Sequence, residues 1–352
     1  MKIVVACGGT GGHAFPGLAV AEELLKRGHD VTVWDSGRNI ESSVMRRWKG
    51  KTFSTGAKPI SLRNAFAILC SILRCRRQMR REKPDILLAM GSYSSLPPIL
   101  AARSAGVKIF LHEANTVPGK AVEFLARFAD KVAISFDFTS RYLSGVKTVK
   151  TGLPVRSDIT DGKRFPFIPH DSFVVFVTGG SQGAHAVNEL LSKALVMLNA
   201  ELVRRGGRSL YVIHQTGKKD ESVVAQEYQN ASLPARVHAF EDDMASAFAS
   251  ADIVVARAGA STCFELASCG KGAFLIPLPS AMRNHQHHNA EAFALAGAAS
   301  EGDQLRLTPK QVFRHLLHYF DNPQRLSEME ANMKNMSVPD AASKVADMLE
   351  GK

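Results

Sequence analysis

The segment Gly8-Gly9-Thr10-Gly11-Gly12-His13 ends a glycine-rich run in a titratable imidazole. It follows the apolar run "KIVVA" and leads into "FPGLAVAEELLKRG", with Pro16 suited to a first helical turn and Gly28 to a helix stop. Strand, glycine turn and helix in that order direct backbone N–H groups at a bound anion. The pattern recurs where "FVVFVT" runs into Gly179-Gly180-Ser181-Gln182-Gly183-Ala184. Two such loops imply two phosphorylated ligands, or one ligand that meets both. A third turn, Gly91-Ser92-Tyr93-Ser94-Ser95 after "PDILLAM", adds hydroxyl and amide donors, or is an ordinary strand-to-helix loop.

Read literally, Gly9 to Ala14 matches G-x-G-x-x-A, and Asp35 closes "VTVWD" where a dinucleotide fold places its ribose-binding acid. A nicotinamide-dependent oxidoreductase is therefore one reading. His13 argues against it, because dinucleotide binding calls for no bulky titratable group at that turn. An unperturbed imidazole titrates at about pH 6.5 and a helix amino terminus disfavours its charged form, which makes His13 a neutral proton acceptor. Glu265, early in the helix after "ARAGAST", either accepts both hydroxyls of a ribose or completes a capping box with Thr262. In "RNHQHHNAE" the spacing of His285, His287 and His288 turns the rings to different sides, so no metal is signalled. Gln286 and Asn289, one turn apart, read as ligand hydrogen-bonders.

The elements that must hold these groups follow from the hydropathy pattern. Short β-branched runs alternate with longer amphipathic ones in both halves, the mark of parallel sheets with crossover helices. The rhythm lapses into Pro, Gly and charge at "VKTVKTGLPVRSDITDGKRFPFIPHDS", which places a hinge between two doubly wound lobes flanking a cleft. A length of 352 residues suits two domains, and 45% hydrophobic with 22% charged residues excludes disordered and fibrous classes. The five cysteines form no CxxC pair, and "MKIVVACGGT" lacks a signal-peptide layout, so a cytoplasmic protein is expected.

The formal net charge of +11 calls for an anionic partner. The longest apolar run, "AFAILCSIL", is too short to cross a bilayer, but it continues into "RCRRQMRREK". Phe66, Leu69, Ile72 and Leu73 can then share a helical face beside Arg74, Arg76, Arg77, Arg80 and Arg81. Such a face docks on an anionic membrane surface; the alternative is a crossover helix packed on its sheet. No aromatic residues interleave the basic ones, so a nucleic-acid partner is not indicated.

In order and spacing, "GGTGGH", "HEAN", "GLPVR", "GGSQGA", "FEDDM", "ARAGAST" with Glu265, and "HQHHNA" resemble the MurG family. These are the undecaprenyl-diphospho-muramoylpentapeptide N-acetylglucosaminyltransferases of bacterial cell-wall synthesis. The resemblance covers essentially the whole chain. It implies an α/β GT-B fold of two Rossmann-like lobes, 1–155 for acceptor and membrane and 156–336 for the UDP-sugar, with a C-terminal helix at 337–352 returning to the first. It further implies inverting, metal-independent transfer from UDP-N-acetylglucosamine to the 4-hydroxyl of the lipid I muramoyl-pentapeptide. The product is lipid II, made without a cofactor at the cytoplasmic face of the plasma membrane.

Under that resemblance Phe240 lies against the uracil, the backbone of Glu241 reads its edge, and Glu265 binds the ribose diol. Ser181 and Gln182, with the turn at Ala260, Ser261 and Thr262, meet the diphosphate, while Gln286 and Asn289 hold the sugar hydroxyls. Thr10, Gly11, Gly12, Asn115 and Arg156 close over the donor. Gly9 and the turn at Gly91, Ser92, Tyr93 and Ser94 seat the acceptor diphosphate, and His13 either takes the proton of the attacking hydroxyl or orients the acceptor. Four positions depart from the family pattern: Ala114 for a glutamine, Leu153 for an asparagine, Ala258 for a serine, and Glu241 for an apolar residue.

Overall fold

The computed structural model describes residues 1–9, 11–37, 45, 48–180 and 183–352. Of the expected site residues, Thr10, Ser181 and Gln182 lie outside them. The chain forms two compact units, 1–156 with 338–352, and 157–337.

In the first unit the strands are β1 (Lys2–Ala6), β2 (Asp30–Asp35), β3 (Lys51–Ser54), β4 (Ile86–Ala89), β5 (Lys108–Glu113), β6 (Lys131–Ile134) and β7 (Thr148–Lys150). They form one parallel sheet in the order β3-β2-β1-β4-β5-β6-β7. Alternate side chains of β1 enter different cores, as strand geometry requires. Ile3 and Val5 pack with Leu18 and Leu24 of α1 (Gly11–Lys26) and with Val345 and Leu349 of the C-terminal helix Ala341–Glu350. Val4 packs with Cys75 and Met79 of α2 (Ala65–Glu82), Ile99 of α3 (Leu96–Ala105) and Val122 of α4 (Lys120–Ala126). The C-terminal helix is also pinned by charge, since Arg27 donates to Asp347 at 2.6 Å and to Glu350 at 3.0 Å.

The second unit repeats the design with β8 (Phe173–Thr178), β9 (Leu210–Gln215), β10 (Ala235–His238), β11 (Ile253–Ala256), β12 (Ala273–Leu275) and β13 (Ala299–Glu301). Their parallel order is β10-β9-β8-β11-β12-β13. The helices are α5 (His185–Arg205), α6 (Glu221–Asn230), α7 (Met244–Ser250), α8 (Ala260–Cys269), α9 (His285–Leu295), α10 (Pro309–Asp321) and α11 (Pro323–Asn335).

Strand order reverses beside the first strand of each sheet, between β1 and β4 and between β8 and β11. Loops leaving the carboxyl ends of such strands diverge and open a crevice, the usual ligand position in an open α/β sheet. The glycine turns before His13, at Gly91, at Gly179 and before Ala260 all leave these four strands.

Candidate active site

In the first unit, His13 is the third residue of α1 and its Nδ1 lies 2.9 Å from the carbonyl oxygen of Met90. A carbonyl only accepts, so Nδ1 carries the proton and Nε2 is the basic nitrogen of the neutral ring. The turn at Gly91 comes close as well: a Cβ there would lie 3.6 Å from His13 Cε1 and 3.3 Å from the carbonyl oxygen of His112. Gly9 has φ +119°, and a Cβ on it would meet Ser92 Oγ at 2.6 Å, so only glycine lets the two turns pack. Ser94 Oγ donates to the carbonyl of Gly8 at 2.5 Å, locking one turn to the other.

The "HEAN" segment contributes two buried titratable groups beside this pair of turns. His112, 1% exposed, donates from Nε2 to the carbonyl of Gly152 at 3.0 Å, and burial lowers its pKa to about 4. Glu113, 2% exposed, is pushed up to about 7 by burial, against the pull of its hydrogen bonds. Oε1 of Glu113 accepts from the amide N–H of Asn115 at 2.8 Å and from its Nδ2 at 3.0 Å, and Oε2 accepts from the N–H of Gly119 at 3.2 Å. Glu113 thus fixes both backbone and side chain of Asn115. The guanidinium of Arg156 lies over the Phe15 ring at 5.2 Å, two residues along α1 from His13.

In the second unit a pocket of about 430 Å³ lies at the switch point. The Gly179–Gly180 turn, Gly183, His185, Thr262 and Gln286 line it. Gly183 has φ +72°, and a Cβ would collide with the carbonyl oxygen of Thr216 at 2.0 Å, so the loop closes there only as glycine. Gln286 Oε1 accepts from the N–H of Leu278 at 3.0 Å, which holds the side chain on the pocket wall. Phe240, Glu265 and Asn289 do not line it. Glu265 is buried on α8, and Asn289 is fully buried with Nδ2 donating to the carbonyl of Ala258 at 3.1 Å. Gly259 is the N-cap of α8 and makes no side-chain cap, so the capping-box alternative for Thr262 and Glu265 fails: both lie inside the helix.

Two further lining residues were not singled out from the sequence: Arg257, inside "ARAGAST", and Gln304, outside every motif. The Arg257 guanidinium donates to the carbonyls of Ile276 and Pro277, each at 3.0 Å, and to Gln304 Oε1 at 2.5 Å. Burial lowers its pKa to about 10. The departure at Glu241 has a local compensation. Its buried carboxylate accepts from Arg236 Nε at 2.9 Å and from the N–H of Asp243 at 3.1 Å, while the Arg236 guanidinium sits over the rings of Phe165 and Phe167. Phe240 beside it is half exposed. Among the described residues no group of three or more His, Cys, Asp and Glu side chains is placed to hold a metal ion.

The membrane-facing expectation needs a correction in phase. The side of α2 that packs on the sheet is set by Ser71, Cys75 and Met79, and Ile72 and Arg76 turn partly inward with it, Arg76 Nε being buried. The exposed side carries Phe66 at 78% exposure, Leu69 and Leu73, then Arg77, Arg80 and Arg81 one to two turns further on. Arg74 stands over the Phe53 ring at 5.3 Å. Leu62, 97% exposed in the preceding turn, extends the apolar end. Among the described residues no helix is long and apolar enough to cross a membrane.

Paired doubly wound units, each with a glycine loop at its switch point, form a fold shared by glycosyltransferases and UDP-GlcNAc epimerases. Models of the N-terminal and C-terminal domains of glycosyltransferase family 28 match residues 3–134 and 174–345, and the chain belongs to that family. A protein of Geotalea uraniireducens is 35% identical across 99% of this chain and 97% of its own length. It is named UDP-N-acetylglucosamine--N-acetylmuramyl-(pentapeptide) pyrophosphoryl-undecaprenol N-acetylglucosamine transferase. A protein of the same name from Myxococcus xanthus is 36% identical across 99% of this chain and 92% of its own. The crystal structure of Acinetobacter baumannii MurG superposes with a TM-score of 0.79 at 30% identity, covering 100% of this chain and 99% of that one. A Neisseria meningitidis UDP-GlcNAc 2-epimerase shares the fold, with a TM-score of 0.75 at 14% identity. Family membership removes the nicotinamide reading; the Asp35 carboxylate instead accepts from the N–H of Gly37 at 2.8 Å.

Proposed function

We propose that the chain transfers N-acetylglucosamine from UDP-N-acetylglucosamine to the 4-hydroxyl of an undecaprenyl-diphosphate-linked muramoyl-pentapeptide, with inversion. Likeness over nearly the full length to relatives bearing that name supports the substrates. One observation carries the chemistry: the Met90 carbonyl holds the His13 proton on Nδ1, so Nε2 is the accepting nitrogen. The hydroxyl oxygen bonds to the anomeric carbon as the carbon–oxygen bond to the diphosphate breaks. The electron pair leaves with UDP, and the hydroxyl proton passes to His13 Nε2. The diphosphate is met beside the Gly179–Gly180 turn by the amino terminus of α5, and Gln286, with its Oε1 fastened, offers Nε2 to the sugar. The gain of charge on UDP is met by backbone dipoles and basic side chains, so no obligatory metal or cofactor is required.

The acceptor's lipid tail requires a membrane-bound site. The exposed face of α2, apolar at its start and basic at its end, docks on the anionic leaflet from the cytoplasmic side, with the apolar side chains at the acyl boundary. Incubation with radiolabelled UDP-N-acetylglucosamine and the lipid-linked acceptor tests the reading. Label should enter the lipid fraction, undiminished by excess UDP-glucose or UDP-N-acetylgalactosamine. No transfer by a protein that still binds the UDP-sugar would make it a binding module instead.

A further inference from the structure

A chain of hydrogen bonds runs from the core of the second unit to its pocket and ends on a residue outside the family motifs. Tyr228 donates its buried hydroxyl to His214 Nδ1 at 2.8 Å, and His214 Nε2 donates to Asn188 Oδ1 at 3.2 Å. Asn188 Nδ2 donates to Asp220 Oδ2 at 2.7 Å and to the carbonyl of Thr216 at 2.7 Å. Asp220 Oδ1 in turn accepts from His185 Nδ1 at 2.9 Å. The directions of the buried bonds follow from Asn188: its Nδ2 only donates, so its Oδ1 accepts from His214 Nε2, and His214 Nδ1 is left to accept from Tyr228. Asp220 is thereby a fixed carboxylate: burial raises its pKa, but the bonds from Asn188 and His185 outweigh that and hold it below the usual range.

The consequence falls on His185. Its ring is the first side chain of α5, 79% exposed, on the wall of the pocket that Gly179, Gly180 and Gly183 also line. With Nδ1–H committed to Asp220, Nε2 lies on the far side of the ring. Only an imidazolium donates from both nitrogens, one to the carboxylate and one to a phosphate. Of the two basic side chains among the described residues lining the pocket, Arg257 has its guanidinium on two carbonyls and Gln304, which leaves His185 as the cation able to meet an anion. The remaining charged groups nearby are Glu189, one turn along α5 and paired with Lys193 at 2.8 Å, and Lys218 and Lys219, which precede Asp220.

Resting on the placement of the donor in this pocket, we propose that His185, clamped by Asp220, is a diphosphate-binding residue. It donates one charge-assisted hydrogen bond from Nε2 to the donor and to the departing nucleoside diphosphate. Asp220 and Asn188 are positioning residues.

Calorimetric titration with UDP-N-acetylglucosamine, without acceptor, tests this at about pH 6 and about pH 8. The diester diphosphate of that ligand has no group that titrates in the range, and uridine serves as the phosphate-free control. Wild type should bind the UDP-sugar more weakly at the higher pH, and His185→Ala should weaken binding roughly tenfold or more at the lower pH, with uridine affinity unchanged. His185→Arg should restore affinity and abolish the pH dependence, which a packing role would not do. Equal affinity of wild type and His185→Ala for the UDP-sugar at about pH 6 overturns the proposal. Wild type that binds neither ligand instead removes the donor-site reading, and this assignment with it.

Discussion

Replacement of Glu113 by glutamine isolates the cost of a buried charge in the loop that carries Asn115. Burial moves this carboxyl from 4.5 up to about 7. The folded pKa lies above the unfolded one, so the group's contribution is full below pH 4.5 and is lost as pH rises through about 7, a change of about 3 kcal/mol. His112 next to it has the opposite sign: its pKa falls from 6.5 to about 4, so its contribution is full above pH 6.5 and lost as pH falls through about 4. The two slopes largely cancel in wild type between these limits, and only the difference between wild type and Glu113→Gln reads the carboxyl. The amide keeps Oε1 for both bonds from Asn115 but sets its NH2 group against the N–H of Gly119, which costs about 1–3 kcal/mol at any pH. The variant should therefore be the less stable protein at about pH 5 and match or exceed wild type at about pH 8. Urea unfolding followed by tryptophan fluorescence measures this in the right place, since the two tryptophans, Trp34 and Trp48, both lie in the first unit. A stability difference that stays constant between those pH values refutes the reasoning.

His13→Asn keeps a side-chain N–H that can reach the Met90 carbonyl but offers no basic nitrogen. Turnover should fall about a hundredfold to ten-thousandfold with acceptor KM little changed, whereas a rise in KM alone would assign His13 to acceptor orientation. Changing Arg77, Arg80 and Arg81 together to glutamine should lower partition onto anionic vesicles about a hundredfold, at about 1 kcal/mol for each charge, and added salt should erase the difference. Unchanged sedimentation with vesicles would discard the docking face. Glu241→Leu strips Arg236 and the N–H of Asp243 of their acceptor and should cost about 1–3 kcal/mol by thermal melting. Adding Arg236→Leu should recover part of that loss, and full additivity of the two changes would deny the pairing.

The glycine turns and their partner strands were legible because a parallel strand buried on both faces reads as a short apolar run and the turn after it needs residues without a side chain. Three strands did not announce themselves. β3 "KTFS", β7 "TVK" and β13 "ASE" lie at sheet edges, where one neighbour suffices and polar residues face water, so no apolar run marks them. The phase of α2 was hidden for a different reason. Its largest apolar side chains, Phe66, Leu69 and Leu73, point to solvent, and the buried stripe is built from Ser71, Cys75 and Met79, so ranking by hydrophobicity picks the wrong side. That inversion favours docking over packing, because a crossover helix that served only its sheet would bury its largest apolar residues. Glu113 was invisible since carboxylates are ordinarily exposed. Its burial depends on donors two and six residues away, at Asn115 and Gly119, whose placement is a property of the folded loop. Glu241 makes the same point about departures from a family pattern. An acid where the resemblance implies an apolar side chain reads as a defect until Arg236, five residues earlier on β10, is seen to supply the charge and Phe165 and Phe167 to cover it.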